Sequence, residues 1–125
     1  MKSITLKPVL TELYNLNEFI SNKLPEENLQ VALIIEEIFV NIVNYSKTDY
    51  IKVNANYENT ELFVEFIDNG IEFNPLLKKD PTFPNDVDEA KIGGLGIFLT
   101  RKIADEVTYA HVNGENRLKI IKKVE

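Results

Sequence analysis

Val31-Ala32-Leu33-Ile34-Ile35-Glu36-Glu37-Ile38-Phe39-Val40-Asn41-Ile42-Val43-Asn44-Tyr45 is the stretch on which the reading of this chain turns. Apolar residues cover nearly every side of the helix that it predicts, and such a helix belongs in a core. Spacings of four and three residues place Glu37, Asn41 and Asn44 on a single stripe of that helix. A buried polar group without a partner costs about 1–3 kcal/mol, and a buried charge more. The stripe therefore calls for partners: nearby backbone for the two amides and solvent for the acid, or a bound ligand for all three. Glu36 points about a quarter-turn away and reads as a surface charge.

Working outward, residues 3–8 read as a short strand closed by Pro8. Leu10, Leu13, Leu16, Phe19 and Ile20 then recur at helical spacing and predict a first amphipathic helix to about Lys23. Pro25 suits a first helical position, with Glu26 and Glu27 forming an acidic first turn, so the long helix is expected to open there. Asp49–Tyr57 and Glu61–Ile67 alternate and are rich in β-branched residues, which predicts two strands joined at Glu58-Asn59-Thr60. The prolines and charges of 74–91 predict a mobile loop, with residues 76–92 expected to act as a nucleotide-responsive lid. A helix is expected from Gly94 to about Ala104, then strands from about Glu106 to Val112 and Arg117 to Val124 around an Asn113-Gly114 turn. This order lacks the strand-helix alternation of a doubly wound sheet. It predicts an α+β fold, a two-layer sandwich whose mixed, mostly antiparallel sheet carries its helices on one face.

At 125 residues the chain is expected to form one domain, 1–125. Its 44% hydrophobic and 27% charged residues are ordinary for a folded globular protein. The absence of cysteine excludes disulfides, zinc-thiolate sites and thiol nucleophiles, and agrees with a cytoplasmic location. No stretch approaches eighteen consecutive apolar residues, so no membrane segment is expected. A formal charge of −6 argues against direct nucleic-acid binding, which needs a positive field.

Two further polar patches interrupt apolar segments. Asp68-Asn69-Gly70 follows Leu62-Phe63-Val64-Glu65-Phe66-Ile67, which puts the aspartate at a strand end. An Asn-Gly hairpin would require an alternating strand next, and Ile71-Glu72-Phe73-Asn74-Pro75-Leu76 does not provide one. Such an aspartate can accept a charge-assisted hydrogen bond from an adenine amino group. Gly93-Gly94-Leu95-Gly96 precedes an apolar helix, where backbone N–H groups and the helix dipole suit an anion. It is neither a P-loop nor a dinucleotide fingerprint, and alone it is equally a flexible helix entry. Taken together the three patches read as an ATP site, with Glu37 a candidate general base and Asn41 a candidate magnesium ligand. His111, the only histidine, has no triad-like neighbours and reads as structural or surface. Tyr45 and Phe73 read as core or cleft-wall aromatics.

In order and spacing, the patches resemble the nucleotide-binding boxes of the GHKL ATPase superfamily, which has the Bergerat fold. Within it the chain is most similar to the anti-sigma-factor serine-protein kinases of bacteria. Glu37-Ile38-Phe39-Val40-Asn41 resembles the N box, which implies a catalytic base at Glu37 and magnesium at Asn41. Asp68-Asn69-Gly70-Ile71-Glu72-Phe73-Asn74-Pro75 resembles the first glycine box, which implies adenine at Asp68. Gly93-Gly94-Leu95-Gly96-Ile97-Phe98-Leu99 resembles the box that wraps the phosphates, and Asp105-Glu106-Val107 with Gly114-Glu115-Asn116-Arg117-Leu118 matches the closing hairpin. The resemblance implies a nucleotide site of Asn41, Asn44, Asp68, Gly70, Phe73, Gly93, Gly94, Leu95, Gly96, Ile97 and Asn116, with ATP and Mg2+ as cofactors. The chain departs from the pattern at Glu72, where many members carry a second glycine. The loop from Leu76 to Ile92 is also short and lacks a clear arginine for phosphate contact, with Lys78, Lys79, Lys91 or Arg101 as candidate substitutes.

Activity expected from the resemblance is that of a protein-serine/threonine kinase acting on an anti-anti-sigma partner of the STAS type. A sigma factor as a second partner and a homodimer also follow from it. The competing expectation is a module that changes partners with bound nucleotide and phosphorylates nothing. A split histidine kinase fits less well, because no helix here carries a phosphorylatable histidine.

Overall fold

A computed structural model describes residues 2–72, 100 and 102–124. Five strands form one sheet: β1 (Lys2–Leu6), β2 (Ile51–Glu58), β3 (Glu61–Asp68), β4 (Glu106–Val112) and β5 (Glu115–Lys123), in the spatial order β1-β2-β3-β5-β4. The sheet, expected to be mostly antiparallel, is antiparallel in every described pairing. Helices α1 (Leu13–Ser21) and α2 (Leu29–Tyr45) complete the described elements, with a short 3-10 turn at Leu10–Glu12 leading into α1. The α+β architecture expected from the element order is the one observed. The second glycine patch and the expected lid lie outside the described residues.

Strand alternation decides which side of the sheet receives the helices. Ile51, Val53 and Ala55 of β2 stand opposite Asp68, Phe66 and Val64 of β3, which in turn face Asn116, Leu118 and Ile120 of β5. These apolar positions are buried together with Leu16 and Ile20 of α1 and with Val31, Ile34, Ile35, Ile38 and Phe39 of α2. The other side of the sheet carries Lys52, Asn54, Glu65, Arg117 and Lys119. There Glu65 accepts from Asn54 at 3.1 Å and lies 3.7 Å from the Arg117 guanidinium.

The long helix begins four residues later than Pro25 suggested. Asn28 is its N-cap, and its side-chain oxygen accepts from the Val31 N–H at 2.9 Å. A cap that satisfies an otherwise orphaned donor outweighs the proline preference, and Glu26 and Glu27 precede the helix instead of forming its first turn. The helix is also less buried than its composition suggested, since Leu29 is exposed and only one stripe meets the sheet. The first helix begins as the 3-10 turn, where Glu12 accepts from the Lys7 backbone N–H at 3.0 Å and from the Asn15 amide at 2.8 Å.

Both hairpins turn at the expected residues with two central positions at positive φ. Asn113 and Gly114 have φ of 54° and 78°, and Asn59 and Thr60 have 53° and 63°. Asparagine and glycine suit this type I′ geometry, whereas a β-branched threonine is strained in the left-handed region by roughly 1–2 kcal/mol. Glycine loses some of that advantage through its flexibility in the unfolded chain. Thr60→Gly should therefore stabilise the protein by about 0.5–1 kcal/mol in urea unfolding, with an unchanged m-value.

Candidate functional site

The site forms where α2 ends against the end of β3. Alternation along Leu62, Val64 and Phe66 brings Asp68 to the helix-facing side of the sheet, where its side chain is 4% exposed. A carboxylate held there needs donors, and three converge on its Oδ1. They are the Ser46 hydroxyl from the end of α2, the Gly70 backbone N–H at 2.9 Å, and the Asn116 amide at 3.0 Å. The other oxygen, Oδ2, receives no hydrogen bond from the described residues.

Asn116 stands opposite Asp68 in the register of β3 and β5. Its amide nitrogen also donates to the Ile71 carbonyl at 2.8 Å, while its oxygen accepts from the Tyr109 hydroxyl and lies 3.1 Å from His111 Nδ1. Asn116, expected to touch nucleotide, thus sets the position of Asp68 and of the chain just after it. His111, read as structural or surface, is exposed on β4.

Gly70 is a position where backbone meets backbone. A Cβ there would lie 2.0 Å from the Ser46 carbonyl oxygen and 1.9 Å from its hydroxyl. The Ile71 N–H donates to that same Ser46 carbonyl at 2.8 Å, satisfying a group left open by the helix end. Next to it, Asn69 Oδ1 accepts from the Thr48 hydroxyl at 2.7 Å and the Asp49 N–H at 2.9 Å, while the Asn69 N–H donates to Thr48 Oγ1 at 3.0 Å. Residues 46–49 and 68–71 are thereby laced together. Ser46 and Thr48 escaped the sequence reading. Their signal was two hydroxyl residues directly after a helix that ends facing an aspartate.

The three residues of the helix stripe differ in burial. Asn44 is exposed, Glu37 is half-buried, and Asn41 is buried with its Nδ2 lacking any hydrogen-bond partner among the described residues. Burial holds the Glu37 pKa above the ordinary value, and the neighbouring Glu36 charge adds to the effect. Glu36 is exposed, as expected, and Tyr45 is half-buried. Phe73, Gly93, Gly94, Leu95, Gly96 and Ile97, also expected in the site, lie outside the described residues, as does Arg101.

Over residues 8–122 the chain matches the histidine kinase-like ATPase domain family, and it belongs to that family, within the GHKL superfamily. Its fold is similar to that of the Acinetobacter baumannii histidine kinase AdeS, with a TM-score of 0.57 and 8% identity over 100% of this chain and 68% of that one. A nucleotide-free form of the catalytic domain of the histidine kinase ThkA has a TM-score of 0.56 and 16% identity, over 98% of this chain and 97% of that one. No curated protein sequence matches the chain. Among the described residues no helix is long and apolar enough to cross a membrane.

Two predictions follow from this geometry. Gly70→Ala forces Ser46 and the turn apart, and should cost at least the roughly 1–3 kcal/mol of an overpacked site in urea unfolding. Glu37 titrates at a higher pH in the folded than in the unfolded chain, so its ionisation opposes folding. Its contribution to stability is complete below its ordinary value of 4.5 and is lost as pH rises through the raised value. Glu37→Gln removes this loss. Its stability relative to wild type should improve from about pH 4 to about pH 7, as read from urea unfolding at each pH.

Proposed function

We propose that this chain binds Mg-ATP and transfers the γ-phosphoryl group to a serine or threonine of a STAS-type anti-anti-sigma partner. A sigma factor as a second partner, a homodimer and a cytoplasmic location belong to the same reading. The observation that carries it is the pairing on α2 of a buried Asn41, whose amide nitrogen has no partner among the described residues, with a half-buried Glu37 of raised pKa one turn earlier. An unpartnered buried amide costs about 1–3 kcal/mol, a cost that a ligand at that position removes.

Asn41 fits a magnesium ligand, because a half-turn about its χ2 exchanges the unpartnered nitrogen for a carbonyl oxygen. Among the described residues no cluster of three acidic, histidine or cysteine side chains could hold a metal. If magnesium were bound here, Asn41 would hold it through that carbonyl oxygen. Magnesium, when bound, neutralises charge on the phosphate oxygens. Asp68 supplies the adenine acceptor through Oδ2, while Ser46, Gly70 and Asn116 occupy Oδ1 and fix its direction. Nine residues of helix, about 13 Å of axial rise, separate Glu37 from Ser46 beside that acceptor, which leaves room for a nucleotide between them.

In the transfer, the hydroxyl oxygen of the partner forms its bond to the γ-phosphorus as the bond to the bridging oxygen breaks, and ADP leaves with that electron pair. Glu37 accepts the hydroxyl proton. A raised pKa makes it a better proton acceptor than an exposed glutamate, and base catalysis of this kind contributes about 10²–10⁴-fold. Positioning and charge neutralisation carry the rest.

The test measures radiolabelled phosphate transfer and nucleotide affinity side by side. Glu37→Gln should lower transfer by about 10²–10⁴-fold with affinity held within a few-fold. Asn41→Ala should depress both, and Asp68→Asn should weaken ATP by roughly ten- to a hundredfold. Label on the partner should resist acid, as a phosphoserine does and a phosphohistidine does not. If wild type binds its partner in a nucleotide-dependent way and transfers nothing, the kinase reading fails and the partner-exchange module takes its place.

A further inference from the structure

At the other end of the sheet, four to six residues along β2 from Ile51, a cavity of about 370 Å³ opens. At about 3.3 Å per residue this is roughly 13–20 Å from the Asp68 end of the strand. Its walls are Lys2 of β1, Asn22 and Lys23 just after α1, and Ala55, Asn56 and Tyr57 of β2. Register explains the convergence. Lys2 pairs with Ala55, which puts its side chain on the helix-facing side of the sheet, towards the end of α1.

Two ammonium groups thus line one cavity in a protein of net charge −6. Although acids outnumber bases 20 to 14 in the chain, neither ammonium has a carboxylate within ion-pair distance among the described residues. Lys23 is held in place, with its Nζ 3.8 Å from the centroid of the Phe19 ring. Burial and then the Lys2 charge hold the Lys23 pKa below its ordinary value, the signature of a cation short of compensation. The end of α1 gives Lys23 some favourable dipole, but it gives no reason for Lys2 to share the space. Beside the two lysines stand Asn22 and Tyr57, whereas Asn56, next to Ala55 on the strand, turns its side chain to the opposite face and meets the cavity through its backbone. The Tyr57 hydroxyl donates only a long hydrogen bond, 3.4 Å, to the Val124 carbonyl and so can re-aim.

We propose that the cavity between Lys2, Lys23, Asn22 and Tyr57 is a second ligand site, which binds a small phosphate monoester. Two lysines match a dianion, and a phosphate monoester carries about −1.5 to −2 at neutral pH where a single carboxylate carries −1. Lysine binds phosphate as a point charge, and the Asn22 amide and the Tyr57 phenol supply the remaining donors. The cavity is larger than a bare phosphate needs and falls at the lower end of small-molecule pockets, which run from roughly 300 to 1,000 Å³. An organic group attached to the phosphate fills the difference.

The test is a titration of the isotope-labelled full chain, followed by amide NMR. Glycerol 3-phosphate and inorganic phosphate are the probes, with sodium chloride at matched ionic strength as control. Glycerol 3-phosphate should give saturable shifts at residues 22–23 and 55–57, with a Kd of about 1 mM or tighter and no shifts at residues 68–71. Lys2→Ser and Lys23→Ala should each weaken it by about tenfold or more, Lys23→Arg should restore binding to within a few-fold, and Asp68→Asn should leave it unchanged. Inorganic phosphate should bind at the same residues, more weakly. Shifts that match those of chloride, or affinity that survives Lys23→Ala, would overturn the site. Binding of a phosphoserine peptide at these residues without binding of glycerol 3-phosphate would overturn the small-molecule assignment.

Discussion

The carboxylate of Asp68 is the constraint on which the arrangement of the site depends. A charge 4% exposed at a strand end has to be met by donors, and the donors come from three separate places in the chain. Ser46 ends α2, Gly70 starts the segment after β3, and Asn116 lies across the sheet on β5. Through one oxygen, the orientation of the helix, the exit of the strand and the closing hairpin are fixed relative to each other. Charge-assisted hydrogen bonds are the strong kind, so this junction is stiff as well as specific.

Rigidity at that point leaves its second oxygen aimed. A functional acceptor must be held by groups that do not themselves need the ligand, and here one oxygen is fully engaged while the other takes no hydrogen bond from the described residues. Asn41 presents the complementary case, a buried amide that the described residues leave without a partner at its nitrogen. Both stand near the last turns of α2. That concentration distinguishes a prepared site from scattered polar residues, and Asn44 on the same stripe is exposed and bears no such cost.

Much of the fold was legible because its signals are local. Alternation in Ile51–Glu58 and Glu61–Asp68, the Asn113-Gly114 turn, and the polar stripe within an apolar helix each act over a few residues. The start of α2 was misread because two local preferences competed, and an asparagine cap at 28 defeated a proline at 25. In the site, Glu37, Asn41 and Asp68 announced themselves as polar residues in apolar surroundings. Ser46, Thr48 and Tyr109 did not, since their roles exist only once residues 21 to 25 positions apart in sequence, or facing across a hairpin, are brought together. Asn116 and Gly70 were named through a family pattern, and the structure supplies a different physical reason for each: one organises the aspartate, and the other makes room for Ser46.

The two type I′ hairpins also govern the order in which the chain can assemble. β2 with β3, and β4 with β5, close across two residues each, at almost no loop entropy. By contrast, β3 reaches β5 only across residues 69–114, and β1 reaches β2 only across residues 7–50, a span that includes both described helices. Long closures are slow because their entropy is lost before their contacts form. The hairpins are therefore the early units and the joining of β3 to β5 the late one. The Asp68–Asn116 bond forms in that joining step, so the acceptor acquires its final orientation only when the sheet is whole.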